Sequence, residues 1–97
     1  MIDLQQQYLD QVIAILKANV PDYEVWAFGS RVNGKAQKYS DLDLVLVGDQ
    51  ALDWRRMEAL KDNFSESDLP IIVDVVDWCL LSDSFKKNIL AKYEVIK

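Results

Sequence analysis

Leu4, Tyr8, Val12, Leu16 and Val20 recur at four-residue intervals and make one apolar face, the pattern of an amphipathic helix. Asp3 is placed to cap that helix, and Pro21 ends it, because the residue before a proline is driven out of the helical region. Tyr23-Glu24-Val25-Trp26-Ala27-Phe28 is rich in aromatic residues and reads as a strand that runs straight into Gly29-Ser30. The polar stretch RVNGKAQKYS, residues 31–40, reads as a loop or a single helical turn. Asp41-Leu42-Asp43-Leu44-Val45-Leu46-Val47 is the clearest strand, closed by Gly48. Asp53 can cap a second long helix that carries Trp54, Met57, Leu60 and Phe64 on one stripe. After a turn-rich connection from Ser65 to Pro70, Ile71-Ile72-Val73-Asp74-Val75-Val76 forms a nearly continuous β-branched run, which predicts a strand covered on both faces. Ser82 can cap a last helix carrying Phe85, Ile89 and Tyr93.

The helix between the second and third strands predicts a parallel, right-handed crossover. The first two strands are joined by a loop too short for a full helix, which predicts an antiparallel pair. The fold class is therefore α+β (mixed α/β), with a small mixed sheet of three or more strands flanked by helices. At 97 residues, with no repeat, linker or low-complexity segment, the chain reads as a single domain over 1–97.

Composition narrows the chemistry. Eleven basic residues against sixteen acidic give a net charge of −5, which argues against direct nucleic-acid binding and against an anionic membrane surface. The absence of His excludes a Ser-His-Asp triad, a Cys-His pair and His-ligated zinc within these residues. The lone Cys79 cannot make an internal disulfide, and with no secretory signal the expected compartment is the cytoplasm. No apolar run approaches the ~18–20 residues of a membrane span. Carboxylates, hydroxyls, Lys and Arg remain as carriers of chemistry.

Asp41-Leu42-Asp43 is the first candidate. On a strand, residues i and i+2 share a face and lie ~6.6–6.8 Å apart, a spacing that can bracket one or two divalent cations. Asp74 is a lone charge inside an apolar run, where an unpartnered carboxylate is costly. If the third strand lies beside the second, Asp74 faces the Asp41/Asp43 pair. Like charges ~4 Å apart repel by ~4 kcal/mol at an effective dielectric near 20, so such a cluster calls for a cation. Hard oxygen ligands select Mg²⁺ or Mn²⁺. An isolated Asp-x-Asp would more simply be a turn and a solvated strand end, and Asp74 alone a hydrogen-bonded structural acid.

Gly29-Ser30 shifts the balance toward chemistry. Glycine lets backbone approach a ligand, and the serine hydroxyl and following N–H groups can donate to a phosphate. Arg31, Lys35 and Lys38 add local positive charge. A nucleoside triphosphate needs both donors for its oxygens and carboxylate-held metal at the reacting group. Residues 29–35 also fit GxxxxGK, but Ala36 stands where a P-loop needs Ser or Thr, and no long helix follows.

Gly29-Ser30, ten residues, Asp41-x-Asp43 and a later Asp74 on a hydrophobic strand resemble the nucleotidyltransferase superfamily that includes DNA polymerase β. More narrowly, GSRVNGKAQKYSDLDLVLV resembles the minimal nucleotidyltransferase (MNT) proteins, from Tyr23 through Trp78. That resemblance implies the nucleotidyltransferase fold. It implies Asp41, Asp43 and Asp74 as metal-binding catalytic carboxylates, with Asp74 helping to activate the attacking hydroxyl. It implies Gly29 and Ser30 as the phosphate-binding turn, with Arg31 and Lys35 in the basic nucleotide-binding segment. It also implies Mg²⁺, ATP or another nucleoside triphosphate, and a HEPN-type helical partner protein encoded nearby; some members act as antitoxins that transfer AMP to a tyrosine of that partner.

Other residues read more plainly. Trp26 and Trp54 read as core packing, while Trp78 is open between packing and stacking on a base. Cys79 reads as a small buried hydrophobe, Arg55-Arg56 as a solvated helix face, and Asp77 as a turn cap on the face opposite Asp74. Two functions stand: a Mg²⁺-dependent transferase that releases pyrophosphate, or a non-catalytic, antitoxin-like nucleotide-binding module that neutralises or scaffolds a helical partner by contact. A chain this small leaves apolar surface for association, so a hetero-complex or a homo-oligomer is expected.

Overall fold

A computed structural model of the chain describes residues 2–97. The elements run α1 (Gln6–Asn19), β1 (Glu24–Phe28), α2 (Ser30–Asn33), β2 (Leu42–Val47), α3 (Trp54–Ser65), β3 (Val73–Asp77), a 3₁₀ turn (Trp78–Leu80), α4 (Asp83–Ala91) and β4 (Glu94–Val95). The sheet order is β3-β2-β1-β4. β1 is antiparallel to β2 and to β4, and β2 is parallel to β3 across the α3 crossover, as the connection lengths predict. The fourth strand, two residues long, extends the sheet beyond the three strands visible in the sequence pattern.

Alternation along the strands divides the sheet into two faces. Val25, Ala27, Leu42, Leu44 and Leu46 lie fully buried on one face. They share a core with Val12, Leu16, Leu60 and Phe64 from α1 and α3. The opposite face carries Trp26, Phe28 and Val45. Trp26 stacks on Tyr93 at 4.3 Å and meets Trp78 edge-on at 5.4 Å. Phe28 meets Phe85 of α4 at 5.9 Å. Central strand β2 is thus covered on both sides, with Val45 also fully buried.

The caps are largely those the sequence predicts. The Asp53 carboxylate accepts from the Arg55 N–H at α3, and the Ser82 hydroxyl from the Phe85 N–H at α4. Asp77 is buried and holds two amides, Cys79 N at 2.9 Å and Leu52 N at 2.7 Å, so it is a turn cap as its register suggested. Asp3 is not the cap of α1; that position is Gln5, without a side-chain bond, and the Asp3 N–H donates instead to the Arg31 carbonyl.

Four further expectations are corrected. The Ile71–Val76 run is not a strand buried on both faces: β3 begins only at Val73 and lies at the sheet edge with Asp74 exposed, and Ile72, ahead of the strand, is 68% exposed. Trp54 is 66% exposed rather than in the core. Each three-residue step from Trp54 to Met57 to Leu60 falls about 60° short of a full helical turn, so the tryptophan rotates off the buried stripe. Arg56 is not merely solvated; it grips Asp22 through two N–H donors (2.6 and 3.1 Å) and so ties α3 to the turn after α1. The Arg56 hydrogen bond holds the Asp22 carboxyl below its ordinary pKa. Cys79 is exposed, its thiol donating to the Gly48 carbonyl at 3.4 Å.

These placements separate two aromatic residues of one helix. Phe64→Ala removes a ring that is 6% exposed and should cost about 3–5 kcal/mol. Trp54→Ala, at the exposed first residue of α3, should change stability by no more than about 0.5 kcal/mol. Urea denaturation of both variants checks this; equal losses would contradict the assigned core face.

Candidate active site

The site is assembled where β1 ends and β2 begins. The antiparallel register places Phe28 opposite Asp43, and the parallel register places Asp43 opposite Asp74. Phe28, Asp43 and Asp74 therefore form one row across three strands, on the face that α4 covers. The next row inward is Trp26, Val45 and Val76, which is apolar throughout. Asp41 precedes β2 by one residue and shares the parity of Asp43.

Gly29 follows Phe28 with φ 80° and ψ −157°, a conformation open essentially to glycine alone. A Cβ at this position would collide with Oδ2 of Asp43 and stand 3.3 Å from its Cγ. The glycine is thus required twice, for its backbone angles and for the close approach of turn and carboxylate. Ser30 opens α2, and Gly34 ends it in the left-handed conformation at φ 83°. The Lys35 side chain is exposed beyond that turn, its backbone N–H donating to the Ser30 carbonyl.

The three carboxylates differ in environment because they differ in place. Asp43, on the central strand, is half-buried; Asp41, before the strand, and Asp74, on the edge strand, are exposed. Burial pushes the Asp43 pKa above its ordinary value, and the neighbouring charges of Asp74 and then Asp41 push it in the same direction. A divalent cation would relieve both effects. Among the described residues, no group of three His, Cys, Asp or Glu side chains is placed to hold a metal ion by itself. An open set of hard oxygens suits an ion such as Mg²⁺, which is usually held by one or two carboxylates together with substrate phosphates. By donor chemistry and charge, Asp41, Asp43 and Asp74 fit such an ion.

Arg31 is placed differently from Lys35. It is 6% exposed, and its guanidinium lies on backbone carbonyls: Nε to Ser40 at 2.9 Å, Nη1 to Asp3 at 2.6 Å, and Nη2 to Lys38 at 3.2 Å and Gln37 at 3.4 Å. The sequence pattern marked it as one more cation of a basic segment, and nothing in spacing alone distinguishes a buried arginine from an exposed one. Ser40 was not singled out by the sequence pattern. Its hydroxyl accepts from the Gln37 N–H at 2.8 Å and closes the turn before Asp41; a Ser directly ahead of an Asp-x-Asp was the available signal. Trp78, left open, packs against Trp26. A cavity of about 610 Å³ is lined by Tyr39, Phe64, Pro70 and Ile72, among others, and by none of the three carboxylates.

Comparison with known proteins accords with this geometry. A family model described as nucleotidyltransferase domain matches residues 9–96. A Haemophilus influenzae protein named probable protein adenylyltransferase MntA is 50% identical over 96 residues, covering 99% of this chain and 84% of that protein. A crystal structure of a toxin-antitoxin with AMP-PNP superposes with a TM-score of 0.77 at 23% identity, over 92% of this chain and 72% of that one. A tri-AMPylated Shewanella oneidensis HEPN toxin in complex with MNT antitoxin gives 0.65 at 21% identity, over 97% and 72%. The two structural likenesses establish the fold, and no helix among the described residues is long and apolar enough to cross a membrane. With a family match across nearly the whole chain and half of all positions shared with one relative, the chain belongs to the nucleotidyltransferase domain family.

Proposed function

We propose that this protein transfers AMP from ATP to a hydroxyl group of a HEPN-type helical partner protein and releases pyrophosphate. The observation that carries the reading is the contact of the Gly29-Ser30 turn with Asp43 inside the row that Asp43 shares with Asp74. One short stretch of surface thereby offers donors for phosphate oxygens and acceptors for a cation and a proton. The relative named as a protein adenylyltransferase supports AMP as the transferred group, and the AMPylated HEPN toxin in a complex of the same fold supports a protein acceptor.

In this reading the Ser30 hydroxyl and the N–H groups that open α2 bind the triphosphate, and Lys35 adds its charge from the exposed side. Asp41, Asp43 and Asp74 would hold Mg²⁺, which when bound neutralises the phosphate charge that builds up during transfer. The acceptor oxygen attacks the α-phosphorus as the bond to the β-phosphate bridging oxygen breaks. Asp74, exposed on the edge strand, accepts the hydroxyl proton. Labelled ATP, Mg²⁺ and the co-encoded helical protein provide the test. Covalent AMP on the partner is the expected result; a stable complex that never acquires label would overturn it.

Ser30→Ala removes one donor to a charged acceptor and should weaken triphosphate binding by about 1.5–3 kcal/mol in calorimetry while leaving the fold intact. Unchanged affinity would take Ser30 out of the site.

Asp43→Asn separates function from folding. The folded protein keeps the Asp43 proton to a higher pH than the unfolded chain does. Its favourable contribution to stability is therefore present below the unfolded pKa and lost as pH rises through the folded one. At neutral pH the Asn variant should be at least as stable as wild type, and that advantage should shrink as pH is lowered toward the ordinary aspartate value. Transfer should be lost. Mg²⁺ with ATP at a hundredfold excess over its dissociation constant should stabilise wild type by about 2.7 kcal/mol and the variant much less. Thermal melts across pH, with and without Mg²⁺ and ATP, check each point; an apo-protein destabilised by Asn with an undiminished ligand shift would contradict the site.

A further inference from the structure

We infer that Arg31 is a positioning residue for the transfer reaction: it holds the 37–40 loop, and through it Asp41, against the phosphate-binding turn. The inference rests on the function proposed above, and it assigns Arg31 a task other than touching the nucleotide.

Its geometry is unusual for an arginine. A buried guanidinium is ordinarily paired with a carboxylate. Among the described residues, the partners of Arg31 are all carbonyl oxygens, those of Asp3, Gln37, Lys38 and Ser40. Three of them lie in the segment that joins α2 to β2. The Ser40 carbonyl belongs to the peptide unit that carries the Asp41 nitrogen, so the bond from Nε at 2.9 Å fixes the plane from which Asp41 departs. Arg31 itself sits in α2, one residue after Ser30, with Gly29 as the cap. Its own carbonyl accepts from the Asp3 N–H at 2.7 Å, while its Nη1 donates back to the Asp3 carbonyl.

The consequence is a rigid link between both halves of the site. Asp43 is fixed by the ladder of the central strand, but Asp41 precedes that ladder and needs another anchor. A planar fork with donors on several edges can hold carbonyls that diverge around it, whereas an ammonium presents all its donors from one point. Arg31→Lys therefore keeps the charge and loses the span. A residue that contacts phosphate directly predicts the opposite balance, since the charge matters most there.

The experiment compares wild type, Arg31→Lys and Ser40→Ala. Ser40→Ala removes the hydroxyl bond to Gln37 and loosens the same loop without touching the guanidinium. Hydrogen exchange at the 37–42 amides is measured on the free protein. The affinity for a non-hydrolysable ATP analogue with Mg²⁺ is measured by calorimetry, and kcat for AMP transfer by labelling. Arg31→Lys should exchange faster in the loop and lose about ten- to hundredfold in kcat, because a misplacement of about 1 Å has effects of that size. Nucleotide affinity should stay within about threefold, and Ser40→Ala should move in the same direction by less. Weakened affinity with kcat intact would overturn the inference in favour of direct contact. Lower melting temperature with kcat per folded molecule unchanged would overturn it in favour of a purely structural role. Wild type that transfers no label would overturn the proposed function instead, and exchange would still decide whether Arg31 holds the loop: unchanged rates in both variants would overturn that.

Discussion

The register that sets Phe28 against Asp43 is the constraint on which the rest of the site depends. Side-chain direction in a strand repeats every two residues, so a slip of one would turn Asp43 into the core against Val12, Leu16 and Leu60 and drive Leu42, Leu44 and Leu46 onto the opposite face. The pairing is held because Val25 and Ala27 must meet Leu46 and Leu44 on the core face. Hydrophobic burial on one side of the sheet thereby dictates which polar groups meet on the other. The missing side chain at Gly29 completes the arrangement, since only there can the turn close down on Asp43.

Much of this was legible in the residues themselves. Alternation in Leu42–Val47 gave the central strand and both its faces, and the length of each connection gave the antiparallel and parallel pairings. The caps at Asp53 and Ser82 were readable because a side-chain oxygen beside a helix start has one obvious use. The failures share a physical origin. Ile71–Val76 looks like a doubly covered strand because composition reports hydrophobicity and not position in the sheet; its place at the edge depends on the fourth strand joining β1 instead. β4 itself is two residues long and carries no periodicity to read. Trp54 was placed on the buried stripe by type and approximate spacing, while the true helical angle turns it to solvent.

The candidate site was legible as a list of residue types, and less so as a set of tasks. Asp41, Asp43 and Asp74 belong together in the pattern, and in the fold the charges of Asp74 and Asp41 both act on Asp43. Arg31 and Lys35 look alike in sequence, yet one is buried on carbonyls and the other exposed. That difference comes from how the loop folds over α2, which no local spacing encodes. The like-charged row also departs from what folding alone would favour, a conflict that functional sites commonly carry.

Asp74 stands on the outermost strand, while Asp43 stands on the innermost. The backbone of β2 is hydrogen-bonded on both sides, and that of β3 on one. Local opening requires fewer bonds to break at a sheet margin than at its centre. The candidate site therefore straddles an inner strand and an edge strand of the sheet. Under the proposed function, local opening at β3 would free Asp74 while β2, and with it Asp43, stays paired.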